Sequence, residues 1–552
     1  MEDYTGGWEG KIPYPKAFSF DLTADIPNSG KAVFSISNNQ TILSHSFNYQ
    51  AKKALLIELG KNLYFEGTIK KDRSEINGFI KSGMLFYHIK LKRSEKNRYV
   101  GKWNILMVES LKASDLYLSI ENGSVDEYQA YPVWGDNRFT GTWCADFQKE
   151  KNIISFKDFK TGLLFEGKLT PSGIILDIKL GHGTVTRVPL VRSETAWKIG
   201  SLSSKDEGRA TVPVALKDGW KIGNANSKSL DKRLLQEMID GVKEGALPNT
   251  HSVLIAQKGK LVFEKYFYGY DAAVPHDMRS ASKSISSAIV GAAIDSGFLN
   301  STDQSMCNLI PSTYECANDS LKSEISIHHL LTMSSGLDAI DFGINRKSVA
   351  SEDNYQQSQD WAKTVLEAPM IGKPGSRANY GSANPYLLGL IIDGAVPNSL
   401  ELFMDEQLLQ PLGISNYIIQ ADMAGKPYFG GGMYLTPRDM LKFGQLYLNS
   451  GNWKGKKVLS RNWVNQSFSN HITLENTENK NGYGYLWWHQ EYQVKGHKIE
   501  SIEARGAGGQ YIFVLPRLDA VVVITSGNYR NGKTQQPEYI LKTYILPSIL
   551  KD

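Results

Sequence analysis

The chain has 552 residues, 41% of them hydrophobic and 22% charged, with a formal net charge of +5. At about 150 residues per domain, this length predicts about three or four domains of ordinary globular composition. The small charge arises from both signs interspersed, which gives no electrostatic ground for a nucleic-acid partner, and no apolar run is long enough to span a membrane.

Met1-Glu2-Asp3-Tyr4 opens polar and shows no signal-peptide pattern. The expected location is periplasmic or secreted if a leader has been removed, and cytoplasmic otherwise. Three cysteines are too few for a disulfide framework. Cys307 and Cys316 read equally as one bridge or as two thiols. Cys144, beside Trp143 in a strand-like segment, is expected to be buried. The ten histidines are scattered without metal-ligand spacing, so no metal or other cofactor is expected.

From Met1 to about Arg192 the pattern is short strands and turns. Residues 18–22, 32–36 and 54–59 read as strands, with Asn28-Ser29-Gly30 as a turn. A unit then repeats after about a hundred residues. Leu63-Tyr64-Phe65-Glu66-Gly67 returns as Leu163-Leu164-Phe165-Glu166-Gly167, and Gly7-Trp8 has a counterpart in Gly101-Lys102-Trp103. This predicts two all-β domains in tandem, residues 1–97 and 98–195, each an antiparallel barrel or sandwich; one larger barrel built from both halves is the alternative. Neither holds a nucleophile–base constellation, so a structural or gating role is expected ahead of ligand transport. A polar stretch at 196–218 reads as the linker, and residues 219–552 as one further domain.

In that domain Ser229 is expected to cap a helix that presents Leu234, Leu235, Met238, Ile239 and Val242 on one face. A hairpin follows, with strands at 252–256 and 261–267. Helices are predicted at 385–392 and 437–448. A second hairpin, 510–516 with 520–525, and an amphipathic helix at 538–550 close the chain. Strands at both ends with helices between them predict an α+β arrangement, one antiparallel sheet with an inserted helical region.

Ser280-Ala281-Ser282-Lys283 heads an apolar helical stripe of Ile285, Ala288, Ile289 and Ala292, with Gly297 as its stop. Residues three apart share a helix face, so the Lys283 amine is expected beside the Ser280 hydroxyl. A serine hydroxyl needs a neighbouring base to become a useful nucleophile, and a desolvated lysine can serve as one. The pattern also occurs at Ser229–Lys232, read as the helix cap, and at Ser548–Lys551, read as a frayed terminus. Taken alone, Ser280 reads equally as a cap on a core helix.

The order of motifs from about 219 to 550 resembles the serine β-lactamase and penicillin-binding-protein superfamily. It is most similar to the class C-like group with esterases, D-aminopeptidases and 6-aminohexanoate-oligomer hydrolases. Ser280–Lys283 comes first, then Ile327-His328-His329-Leu330-Leu331-Thr332-Met333-Ser334-Ser335-Gly336-Leu337. Pro374-Gly375-Ser376-Arg377-Ala378-Asn379-Tyr380-Gly381-Ser382 follows, then Gly430-Gly431-Gly432-Met433-Tyr434-Leu435-Thr436-Pro437, and last Ala504-Arg505-Gly506-Ala507-Gly508-Gly509-Gln510.

The resemblance implies Ser280 as nucleophile, Lys283 as its base and Tyr380 as proton relay, its phenol shifted down by the lysine. It implies the Ser280 and Ala507 amides as oxyanion donors, and Ser382, Arg505, Gly506 and Gly508 on the substrate side. Ser382 stands where the family usually has Asn, and no Lys or His occupies the third motif, so efficient β-lactamase or transpeptidase activity is not expected. Arg505 reads either as a contact to a substrate carboxylate or as a strand residue pointing away. His328 and His329 are expected to pack and cap, only one of Trp487 and Trp488 to face the pocket, and residues 338–375 to form its wall.

The expected function is hydrolysis of an ester or amide of a small molecule or short peptide through an acyl-enzyme. A D-stereospecific aminopeptidase or amidase and an acyltransferase of the same fold are the alternatives, with a non-catalytic ligand-binding protein behind them. The sequence leaves the oligomeric state open.

Overall fold

The computed structural model describes residues 4–50, 54–108, 111, 114–122, 128–134, 144–194, 213–223, 230–314, 316 and 319–550. The chain divides into two compact units, residues 1–203 and 204–552.

The first unit is all β. One antiparallel sheet runs Thr41–Tyr49, Gly30–Ser37, Ser19–Asp25, Arg98–Asn104, Leu85–Glu95, Glu75–Ser82, Leu63–Ile69, Leu55–Gly60. The other runs Tyr128–Trp134, Asp115–Asn122, Gly6–Lys11, Gly183–Ser193, Gly173–Leu180, Leu164–Thr170, Ile153–Asp158, Cys144–Glu150. In both, the end strands lie side by side, so each sheet rolls into a nearly closed barrel around its inward-facing aromatics. Phe34 meets Phe65 at 4.9 Å in the first, and Phe156 meets Phe165 at 4.8 Å in the second.

The sequence repeat and the barrels are offset by one strand. Gly6–Lys11, which carries Gly7-Trp8, pairs with Asp115–Asn122 and Gly183–Ser193 in the second barrel. Its counterpart Arg98–Asn104, which carries Trp103, pairs with Ser19–Asp25 and Leu85–Glu95 in the first. The two repeats have exchanged their first strands. A division at 97/98 would therefore cut a hairpin, because Lys96-Asn97 is the tight turn between paired Glu95 and Arg98, with Asn97 at φ +66°. Cys144 is half-buried rather than buried, and desolvation pushes its thiol pKa up. Trp143 lies outside the described residues.

The second unit is built on a nine-stranded sheet. The elements used below are, in chain order, β1 (Lys221–Ile222), α1 (Lys232–Lys243), β2 (Thr250–Gln257), β3 (Lys260–Tyr266), β4 (His276–Asp277), α2 (Lys283–Asp295), α3 (Ala383–Ala395), β5 (Tyr417–Gln420), β6 (Met433–Leu435), α4 (Pro437–Leu448), β7 (Ile472–Thr473), β8 (Gly482–Tyr483), β9 (Trp488–Val494), β10 (His497–Gly506), β11 (Gln510–Leu515), β12 (Ala520–Ser526) and a C-terminal helix made of the consecutive turns Gln536–Ile540, Leu541–Ile545 and Leu546–Ile549. The sheet order is β1-β3-β2-β12-β11-β10-β9-β8-β7. Strands from the two ends of the unit meet where β2 pairs with β12, and the helical region is inserted between them.

Leu235, Met238, Ile239 and Val242 of α1 pack with Ile540, Ile545 and Leu546 of the C-terminal helix on one face of the sheet, over Val253, Phe513 and Val522. That packing fixes the terminus. Ser548 is buried and bonds both the amide and the carbonyl of Asp231, so it is a stitch to α1 and not a frayed end. Asp231, not Ser229, caps α1 by accepting from the Arg233 amide. Ser229 lies outside the described residues.

Residues 196–212 of the expected linker also lie outside them, while 213–218 are tied into this unit. Arg438 of α4 donates to Glu264 at 2.7 Å, to Asp218 at 2.9 Å and to the Val214 carbonyl at 2.7 Å. Cys307 and Cys316 form a disulfide. Among the described residues no single helix is long and apolar enough to cross a membrane.

Candidate active site

The turn that carries Ser280 follows β4. The Met278 amide donates to the Met433 carbonyl at 2.9 Å, and the Asp277 side chain accepts from the Arg279 amide at 3.0 Å. Arg279 is left-handed, with φ +49°. Ser280 lies in a tight 3₁₀ turn, Arg279–Ser282, that runs into α2. In such a turn residues three apart eclipse, which brings lysine and serine together as closely as an α-helix would. Lys283 is buried, and its Nζ stands 2.7 Å from Ser280 Oγ. It also donates to the Gly430 carbonyl. The Gly-rich run is needed there, because a Cβ at Gly430 would lie 2.1 Å from the Tyr428 hydroxyl.

Tyr380 arrives from the segment before α3. Its ring centre is 5.1 Å from Lys283 Nζ, between Trp488 at 5.1 Å and Phe342 at 5.4 Å. Asn476 clamps its backbone, accepting from the Tyr380 amide at 2.7 Å and donating to its carbonyl at 3.2 Å. Burial holds the phenol pKa above its ordinary value, while Lys283 and Ser280 pull it down. The expected downward shift is thus outweighed by desolvation.

Gly506 ends β10 against the Ser280 turn and brings Ala507 to the same cavity as Ser280. A Cβ at 506 would lie 2.3 Å from the Met278 carbonyl oxygen and 3.1 Å from the Ala281 amide. Ser280, Tyr380, Gly506 and Ala507 line one cavity of about 540 Å³ together with Trp488, Asp341 and Glu352.

Arg505 lines this cavity too, so it does not point away. Its Nε donates to Glu503 at 2.7 Å, its Nη1 lies 3.3 Å from Glu538, and its enclosed Nη2 has no hydrogen-bond partner among the described residues. Two of the expected substrate-side residues do not line it. Ser382 is buried and donates from its amide and its hydroxyl to Asp341, at 2.8 and 2.6 Å. It braces the wall from behind, because Asp341 also accepts from the Glu352 amide at 2.9 Å. Gly508, at φ +80°, packs against Tyr529 and shapes the loop around Ala507.

Trp488, at the start of β9, faces the cavity, whereas Trp487, just before the strand, is buried against Phe443 and Tyr447. His329 forms a reciprocal cap with Ser326, and His328 bonds the Tyr485 hydroxyl at 2.9 Å.

Asp341, Glu352 and Asn476 are site residues that the motifs do not reveal. The first two fall in the stretch 338–375 expected to form the wall, and position is the only sequence signal they carry. The Tyr428 hydroxyl donates to Glu352. Burial raises the Glu352 pKa, Lys283 pulls it down, and Asp341 adds to the rise. Among the described residues no cluster of three or more His, Cys, Asp or Glu could hold a metal ion.

Residues 235–543 match the family model described as Beta-lactamase. The 6-aminohexanoate-dimer hydrolase of Paenarthrobacter ureafaciens is 24% identical over 293 residues, covering 50% of this chain and 71% of the relative. Among solved structures, a penicillin-binding protein homologue from Caulobacter crescentus is 13% identical with a TM-score of 0.47, covering 59% of this chain and 99% of that one. Simvastatin synthase from Aspergillus terreus is 16% identical with a TM-score of 0.45, covering 58% and 99%.

Proposed function

The chain belongs to the β-lactamase family, and on that footing we propose that it is a serine hydrolase that cleaves an ester or amide of a small molecule or short peptide through an acyl-enzyme on Ser280. The observation that carries this reading is Lys283 Nζ at 2.7 Å from Ser280 Oγ, in a cavity that Tyr380 and Ala507 also line. Ser280 Oγ attacks the carbonyl carbon as Lys283 takes its proton. The Ser280 and Ala507 amides hold the developing oxyanion. Tyr380 passes a proton to the leaving alcohol or amine as the scissile bond breaks. Lys283 then hands the serine's proton on to Tyr380, and water attacks the acyl carbon, giving its own proton to Lys283, which passes it to Ser280 Oγ as the acid departs.

The lining favours neutral or cationic acyl groups. Asp341, Glu352, Asp353 and Glu478 border the cavity, and Arg505, the one arginine among the described lining residues, is met by Glu503 and Glu538. This supports a second reading, a D-stereospecific aminopeptidase or amidase, whose substrate carries a free amine near the scissile bond. Turnover of p-nitrophenyl esters and of D-amino-acid amides separates the two, and a Ser280→Ala protein that hydrolyses either at the wild-type rate excludes both. The Cys307–Cys316 bridge supports a periplasmic or secreted location, since disulfides persist in oxidising compartments. Quantitative thiol alkylation of both cysteines in protein taken from its native compartment would count against that.

A further inference from the structure

Ser280 and Ala507, the two residues whose amides form the oxyanion site in the reading above, lie 227 positions apart in the chain. One side-chain relay joins the segments that carry them. On the Ser280 side, Asp277 is almost fully enclosed and grips Arg279 twice. It accepts from the Arg279 amide at 3.0 Å, and its other oxygen lies 3.1 Å from Arg279 Nε. The grip holds a residue whose backbone is strained, since φ +49° is uncommon for a residue other than Gly, Asn or Asp. That strained residue immediately precedes Ser280.

The Arg279 guanidinium reaches out over the Tyr529 ring, 5.1 Å from its centre. Tyr529 packs directly on Gly508, where a Cβ would lie 2.4 Å from the ring. Gln510 completes the relay. Its Nε2 donates to the Ala507 carbonyl at 3.3 Å and lies 3.5 Å from the Tyr529 hydroxyl, and its Oε1 accepts from the Ser526 amide at 3.2 Å. The Asn528 amide, next to Tyr529, donates to the Gly508 carbonyl at 2.9 Å. Neither Arg279 nor Tyr529 lines the cavity.

We propose that Arg279 and Tyr529 are positioning residues that set the spacing of the Ser280 and Ala507 amides, and so act on the transition state without touching the substrate. This rests on the acyl-enzyme reading above. An oxyanion site is sensitive to such spacing: losing one donor costs about 10²–10³ in kcat, and a displacement of about 1 Å can cost about 10².

The test uses the full-length protein with Arg279→Asn, Tyr529→Leu and Tyr529→Phe. Asparagine adopts the left-handed conformation readily, so Arg279→Asn removes the guanidinium without adding backbone strain. The expected result is a fall in kcat of about 10–100-fold for Arg279→Asn and Tyr529→Leu, with KM within about twofold. Tyr529→Phe keeps the ring and stays within about threefold of wild type. An arylboronic acid, whose boron bonds to Ser280 Oγ to give a tetrahedral anion, loses affinity by the same factor as kcat/KM. Thermal unfolding midpoints unchanged from wild type separate positioning from misfolding.

Wild-type kcat in both Arg279→Asn and Tyr529→Leu, while Ser280→Ala is inactive, overturns this inference alone. So does a loss confined to KM. Activity retained by Ser280→Ala overturns the acyl-enzyme reading instead.

Discussion

Gly506 and Met278 are in van der Waals contact through backbone, so closely that a Cβ on residue 506 would lie 2.3 Å from the Met278 carbonyl oxygen. The end of β10 and the Ser280 turn therefore meet at a point where only hydrogen fits. Gly506→Ala must push the two apart or distort one of them. A loss in kcat of about 10²-fold is expected, with the sheet intact by circular dichroism. Steady-state kinetics on the best ester substrate checks it, and full activity in this variant would show that the contact does not set the site.

In the proposed mechanism Tyr380 moves a proton. Its ring lies between Phe342 and Trp488, and its backbone is clamped by Asn476. Tyr380→Phe keeps the packing and removes the hydroxyl. The expected effect is a fall in kcat of about 10²–10⁴-fold, the usual range for a lost general acid–base group. The loss should be smaller for p-nitrophenyl esters than for amides, because nitrophenolate leaves without protonation. Equal losses on both substrates would assign Tyr380 another part.

Acid should weaken the fold through the His251–His276 pair. The two rings are buried, with His251 Nδ1 2.8 Å from His276 Nε2. Desolvation drives both pKa values down, that of His276 to about 4, where Asp277 pulls upward and Arg279 adds to the fall. In the unfolded chain histidine titrates near its ordinary value of about 6.5. Between these values the unfolded state binds more protons, so stability is fully present above about 6.5 and falls as pH drops toward 4. Urea unfolding at pH 7.5 and 4.5 measures the drop, and replacing both residues by Phe and Asn should flatten it.

Arg438 holds the segment before β1 to the sheet through Asp218, Glu264 and the Val214 carbonyl, with a side chain only 3% exposed. Arg438→Met strands those two carboxylates beside an apolar side chain. Breaking a buried pair in this way costs about 3–5 kcal/mol, which denaturant unfolding of the variant resolves. Because the cluster lies away from the cavity, kcat of the folded fraction should be unchanged.

Local rules carried much of the fold. The 3.6-residue stripe and Thr436-Pro437 mark α4, observed at Pro437–Leu448 with Thr436 accepting from the Asp439 amide. The three-residue spacing predicts the Ser280–Lys283 contact, although Ser548, at the same spacing, is spent on Asp231 instead. What stayed hidden depends on partners chosen across long stretches of chain. The matched Gly7-Trp8 and Gly101–Trp103 strands announce a repeat, but pairing across the Lys96-Asn97 turn decides that they trade places. Ser382 matches a motif position yet is claimed by Asp341, a loop residue 41 positions away. Asp341 and Asn476 come from irregular segments, and Glu352 from a helix of only four residues, so no periodicity tells which side chain will reach the cavity.

Intact-protein mass spectrometry after brief incubation with a panel of slow esters, amides and β-lactams, followed by peptide mapping, tests the proposed acylation of Ser280 directly. The expected result is one added acyl mass per chain, on the peptide that contains Ser280, absent from Ser280→Ala and lost again with time as water releases the acid. An adduct on another residue, or steady turnover by Ser280→Ala at the wild-type rate, would contradict it.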